Sequence, residues 1–182
     1  MAKGYTKGKG GGKGGGRAGR SVKDIGAAEQ NIINSPIEVA FGYDKDGNVV
    51  IDKNGTSSSV EFTLDELALL KNGTLTHNHP KGNSFSLEDI LVMHEHGLKE
   101  IRAIGVNSLG EKVLHIMRPG ALVSKAQITR SFQNATREVT RRFEQSINMG
   151  QMSLSQANSL HFHSVWTKVA AELGLSYSRR VL

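Results

Sequence analysis

The 182-residue chain has no cysteine, which excludes disulfides, all-thiolate zinc sites and cysteine nucleophiles and leaves any metal to His, Asp or Glu. It also lacks an apolar run near the roughly 20 residues needed to cross a bilayer, and its N-terminus has no apolar stretch of the kind a secretory signal requires. A soluble protein of the cytosol, without a membrane partner, is therefore expected. No self-similarity recurs at periods of about 20 to 50 residues, which argues against solenoids and propellers. The length suits one ordinary domain with a short helical appendage, and hence a single active centre.

Acidic residues are missing from residues 1–20, which carry six basic side chains. Residues 21–117 hold 8 basic and 14 acidic groups, and residues 118–182 hold 9 and 3. The net charge of +6 thus sits at both ends of an acidic centre. Residues 1–22, with repeated Lys-Gly and Gly-Gly-Gly, have little to bury and much backbone freedom to lose, so they are expected to form a disordered basic arm. Such an arm suits nonspecific contact with nucleic-acid phosphates, or serves as a solubilising linker.

Strand patterns begin at Ile37 to Phe41 and Val49 to Ile51, separated by the turn residues Asp44 to Asn48. Val60 to Phe62 reads as a short strand, followed by a helix over Leu64 to Leu70 that Thr63 and Glu66 cap reciprocally. Thr74 to Thr76 reads as a strand ending at His77-Asn78-His79-Pro80-Lys81-Gly82, then a helix from Leu87 to His96 closed by Gly97. Ile101 to Val106 and Lys112 to Met117 form a second hairpin. Beyond Pro119 the spacing of Ile128, Phe132, Ala135, Val139, Phe143 and Ile147 predicts a helix, and Ser153 with Gln156 starts another carrying Leu160, Trp166, Val169 and Leu173. The reading is an α+β fold, a small mixed sheet with flanking helices over residues 30–117, plus a basic helical hairpin over 118–182.

Residues two apart in a strand face the same way, so His77 and His79 can present two imidazoles to one point. Asp89, in the first turn of the next helix, can swing back toward both. Two His and a carboxylate leave a fourth tetrahedral position open, as a catalytic zinc site requires. Hydrolysis also needs a group to take the proton of the attacking water, and Glu38, in a strand able to neighbour that of His77, is the candidate. Ser86 can donate its hydroxyl to the oxyanion that forms when water adds to a carbonyl.

Plainer readings exist for each. Ser86 and Asp89 fit a capping box, a His-x-His pair arises by chance, and Glu38 suits the polar face of an edge strand. His94 and His96 read as helix-face residues, His94 with a secondary claim to support the metal ligands. His161 and His163 read as structural or as part of a partner surface.

Read together, Glu38, His77-Asn78-His79-Pro80, Gly82, Ser86 and Asp89 resemble the signature of the JAB/MPN (JAMM) metalloprotease fold, which is cytidine-deaminase-like. The wording of residues 77–82 is similar to the RadC-like branch. Similar segments, with Thr-His-Asn-His-Pro and Phe-Ser-x-x-Asp-Ile as at residues 76–80 and 85–90, occur in domains attached to phage minor head proteins and bacterial toxins. The interval from His79 to Ser86 is one residue shorter than the usual pattern. The resemblance implies zinc on His77, His79 and Asp89, with Glu38 polarising the water and Ser86 steadying the tetrahedral intermediate.

The leading expectation is a zinc-dependent hydrolase of peptide or isopeptide bonds acting on a protein or peptide substrate, with the resemblance pointing to a phage-encoded protein located in the host cytosol or virion. The second is a virion- or head-associated structural or binding protein with a structural metal and phage structural proteins as partners. The third is a metal-dependent nuclease, opposed by the acidic balance around the site.

Overall fold

Side chains alternate sharply along the strands, and the alternation divides the core in two. Ala40, Ile51, Leu75, Ile101, Ala103 and Met117 join one buried cluster, while Phe41, Tyr43, Ile104, Leu114 and Ile116 join the other. A sheet covered on both faces follows. The structure, a computed structural model, describes residues 24–120 and 122–182; the arm expected at residues 1–22 lies outside them.

The elements run α1 (Ile25–Ile32), β1 (Val39–Tyr43), β2 (Val49–Asn54), α2 (Leu64–Ala68), β3 (Thr74–Asn78), α3 (Leu87–Glu95), β4 (Glu100–Val106), β5 (Lys112–Arg118), α4 (Lys125–Asn148), α5 (Leu154–Leu173) and β6 (Ser176–Val181). The fold is α+β, with an open mixed sheet in the order β2-β1-β3-β4-β5-β6. Only β3 and β4 run parallel, joined through α3; the other neighbours are antiparallel.

Both hairpins expected from the sequence form, as do the two long C-terminal helices. The capping boxes at Thr63/Glu66, Ser86/Asp89 and Ser153/Gln156 are all present. The expected strand at Val60 to Phe62 is instead an extended loop without a partner strand. Val60 and Phe62 pack against the buried cluster rather than pair with the sheet. Glu38 lies one residue before β1 rather than inside it, although its backbone still exchanges hydrogen bonds with Thr56 and Gly55, both at 2.7 Å.

The C-terminal segment is built into the sheet domain. Its last strand, β6, pairs along the whole of β5. The apolar faces of α4 and α5, with Ile128, Ala135, Val139, Trp166 and Val169, belong to the same cluster as Leu75 and Ile101 of the sheet. The opposite face is covered by α1, which brings Glu29 to Thr76 at 3.0 Å and to Arg102, itself held by Glu100 at 2.9 Å. Among the described residues, no helix is long and apolar enough to cross a membrane.

Candidate metal centre

The register of β1 against β3 pairs Ala40 with His77. Continued two residues outward, that register sets Glu38 opposite His79 on the same face of the sheet, because cross-strand partners in an antiparallel ladder point the same way. His77 is flanked on its neighbouring strands by Ala40 and Ala103, both fully buried. Two methyl side chains leave the space between strands that an imidazole needs.

The chain turns sharply after His79 and runs beneath its own sheet end. Gly82 has φ +64°, and a Cβ there would meet the Val106 and Asn107 backbone at 2.3 Å. A Cβ on Gly105 would meet the His79 carbonyl oxygen at 2.3 Å. Two glycines therefore let this loop lie directly on β4. It then delivers Ser86 and Asp89 to the start of α3.

There the three expected ligands converge. The Nε2 atoms of His77 and His79 are 2.9 Å apart, and each is 3.5 Å from an oxygen of Asp89. All three ligand atoms fall within 4.8 Å of one another, so this group could hold a metal ion. The capping box does not compete with that role. Asp89 Oδ2 accepts the Ser86 backbone N–H at 2.8 Å, while Oδ1 remains directed at His77. Ser86 Oγ accepts the Asp89 backbone N–H at 3.1 Å, which leaves its hydroxyl proton free to donate into the cavity.

The donor set fits a cation. His79 Nδ1 lies 3.0 Å from the Asn83 carbonyl, an acceptor only, so Nδ1 carries the proton and Nε2 faces the site. Two imidazole nitrogens and a carboxylate pointing at one place require positive charge between them. Without a metal that charge is a proton. Burial alone would lower the His79 pKa, but the Asp89 carboxylate, the Asn83 carbonyl and the charge of Glu38 outweigh it and raise the imidazole to about 9. Burial would likewise raise Asp89, yet the two imidazoles hold it well below the usual carboxylate range. His77 Nδ1 is buried without a partner, so its ring is oriented by packing.

Glu38 lines the same cavity, about 440 Å³ in volume, together with His77, His79, Ser86 and Asp89. Burial raises its pKa, an effect that the charges of His79 and His77 partly offset, and the Val60 backbone N–H holds its carboxylate. Asn78, between the two histidines, points to the other face. Its Oδ1 accepts the Val39 N–H at 2.7 Å, and its Nδ2 donates to the carbonyls of Ile37 at 3.0 Å and Ser35 at 3.2 Å. The residue that separates the ligands thus ties down the chain on both sides of Glu38.

Sequence reasoning missed several contributors. Phe162 of α5 forms part of the cavity wall, as do Ser57 to Val60. The loop that carries Ser86 is held from the C-terminal segment: Trp166 Nε1 donates to the Phe85 carbonyl at 2.7 Å, and Ser84 Oγ lies 3.0 Å from Tyr177 Oη. Tyr177 Oη also meets His115 Nδ1 at 2.8 Å and His163 Nδ1 at 3.1 Å. These contacts span 14 to 93 residues of sequence, beyond the reach of any local pattern. The alternation of β3, in contrast, already signalled that Asn78 faces away from the histidines.

The remaining histidines are placed by the fold. His161 Nε2 is 2.9 Å from Thr140 Oγ1 across the α4–α5 contact, and His163 belongs to the Tyr177 cluster, so both are structural. His94 and His96, at the end of α3, do not line the cavity. Comparison of the chain with protein-family models, with curated protein sequences and with solved structures finds no significant match to any of them.

Proposed function

We propose that the chain is a zinc-dependent hydrolase of peptide or isopeptide bonds, built on a JAB/MPN-like arrangement. The observation that carries this reading is the sharing of one cavity by two kinds of acid group. Asp89 is held ionised against two imidazoles, while Glu38, opposite His79, has its pKa raised by burial. Environments that push two carboxylates apart in this way separate ligand from proton carrier.

His77, His79 and Asp89 would hold the ion, and two nitrogens with one oxygen match a catalytic zinc set with an open fourth position. Bound there, zinc would supply Lewis acidity, lowering the pKa of water and polarising a carbonyl. The chain does the rest. Glu38 accepts the proton of the attacking water and returns it to the departing amine, a role suited to a carboxylate with a raised pKa. Ser86 donates its free hydroxyl proton to the oxygen that gains charge as the carbonyl becomes tetrahedral. Phe162 and Val60 place apolar surface in the wall of the cavity around that exchange.

A second reading, a metal that only clamps the fold, draws on the way Asp89 joins the first turn of α3 to β3. Elemental analysis and peptide or isopeptide cleavage, measured together, separate the two. Wild type is expected to hold about one zinc per chain, and Glu38→Gln to keep it while losing about 10²- to 10⁴-fold in rate. The His77→Ala/His79→Ala variant loses both. Cleavage undiminished in Glu38→Gln would remove the proton-carrier role. Zinc bound by the double variant would remove the site itself.

A further inference from the structure

The outer face of α4 is a basic ridge. Its buried face carries Ile128, Ser131, Ala135, Val139 and Phe143. At about 100° per residue, Arg130, Asn134, Arg137 and Arg141 fall on the opposite side, within roughly 60° of one another, and all four are exposed. Arg130 and Arg141 make no hydrogen bond or ion pair among the described residues, and Arg137 donates to the Asn134 side-chain oxygen at 2.6 Å. The nearby Glu138 carboxylate is engaged by Lys168 at 2.8 Å and feels the charges of Arg141 and Arg142. Glu144 is the one acidic side chain bordering the far end of the ridge.

We propose that this ridge binds the phosphodiester backbone of a nucleic-acid duplex, independently of base sequence. Three guanidiniums over about 16 Å of helix rise match a ligand whose charges recur every ~3.4 Å along each strand. Guanidinium takes phosphate oxygens in pairs, and flanking Asn and Gln side chains make the uncharged backbone contacts such interfaces use. The ridge carries no aliphatic or aromatic anchor of the kind an acidic protein partner would bury. It also has no aromatic surface for stacking unpaired bases, which favours a duplex over a single strand.

The test is fluorescence anisotropy of a labelled duplex of about 20 base pairs with the full chain, from about 50 to about 200 mM salt. Arg130→Gln/Arg137→Gln/Arg141→Gln is expected to make the plot of log affinity against log salt shallower by about 2.7, at about 0.9 per lost phosphate contact. Each single variant should lose about 0.9, so the result does not depend on the triple variant folding. A Lys71→Gln/Lys99→Gln/Lys112→Gln variant removes the same charge from the acidic part of the chain and should leave the slope nearly unchanged. Residues 1–20 are common to all these proteins, so their contribution cancels. The proposal is overturned by absence of binding, by equal slope changes in the two triple variants, or by polyglutamate competing as well as unlabelled duplex.

Discussion

Asp89 performs two tasks at one helix start. One carboxylate oxygen accepts the Ser86 N–H and the other turns to His77. The cap and the candidate metal centre therefore reinforce each other, since the cap fixes the rotamer that the ligand needs. His79 shows how charge is balanced there. Its pKa, raised from 6.5 to about 9, means that the protonated ring stabilises the metal-free fold fully below about pH 6.5. That contribution fades as pH rises through about 9. A divalent ion competes with the same proton, so its affinity should climb with pH across this window, by up to about tenfold per unit. Thermal melts of the metal-free chain should accordingly fall between about pH 7 and pH 9.5, while the rise in Tm on adding zinc grows. A zinc-induced shift that stays flat with pH would show that the ion does not displace the His79 proton.

Among the elements, β6 and α5 do the most that their own patterns do not announce. Tyr177 on β6 gathers Ser84, His115 and His163 around one hydroxyl, and Trp166 on α5 holds the Phe85 carbonyl. Burial lowers the His115 pKa to about 3 and lowers that of His163 as well, which favours the uncharged form of both rings. It differs from the ligand group in that a single hydroxyl satisfies it without a cation. Tyr177→Phe removes the shared partner and should cost about 1 to 3 kcal/mol in denaturant unfolding. Zinc content should stay at the wild-type level, because none of the three ligands touches Tyr177. Loss of zinc in this variant would mean that β6 positions the ligands themselves, not only the loop bearing Ser84 to Ser86.

At the scale of the molecule, one cluster runs from Ala40 and Leu75 in the sheet to Phe143, Trp166 and Leu175 in the C-terminal segment. Core continuity of this kind predicts a single cooperative unfolding transition. The single tryptophan, Trp166, is fully buried at the junction between the helices and the Phe85 loop, which makes it the natural probe. Its fluorescence and far-UV circular dichroism should change at the same denaturant concentration. An earlier change in Trp166 would show that α4 and α5 detach before the sheet melts.

Local chemistry alone determined much of this. Capping residues, turn residues and the periods of two and 3.6 depend on near neighbours, which is why both hairpins, the long helices and the convergence of His77, His79 and Asp89 could be read from the chain. The same locality explains the errors. Val60 to Phe62 has strand-like residues, but whether a segment pairs depends on where the fold carries it and not on its own pattern, and α1 and β6 carry weak patterns whose partners lie far away in sequence. Only the tertiary structure decided that Glu38 stands opposite His79, since strand register is a property of two distant segments. It alone decided, too, that α5 walls the cavity through Phe162 and that α5 and β6 hold the Ser86 loop, because burial against Phe85 exists only after the sheet has formed.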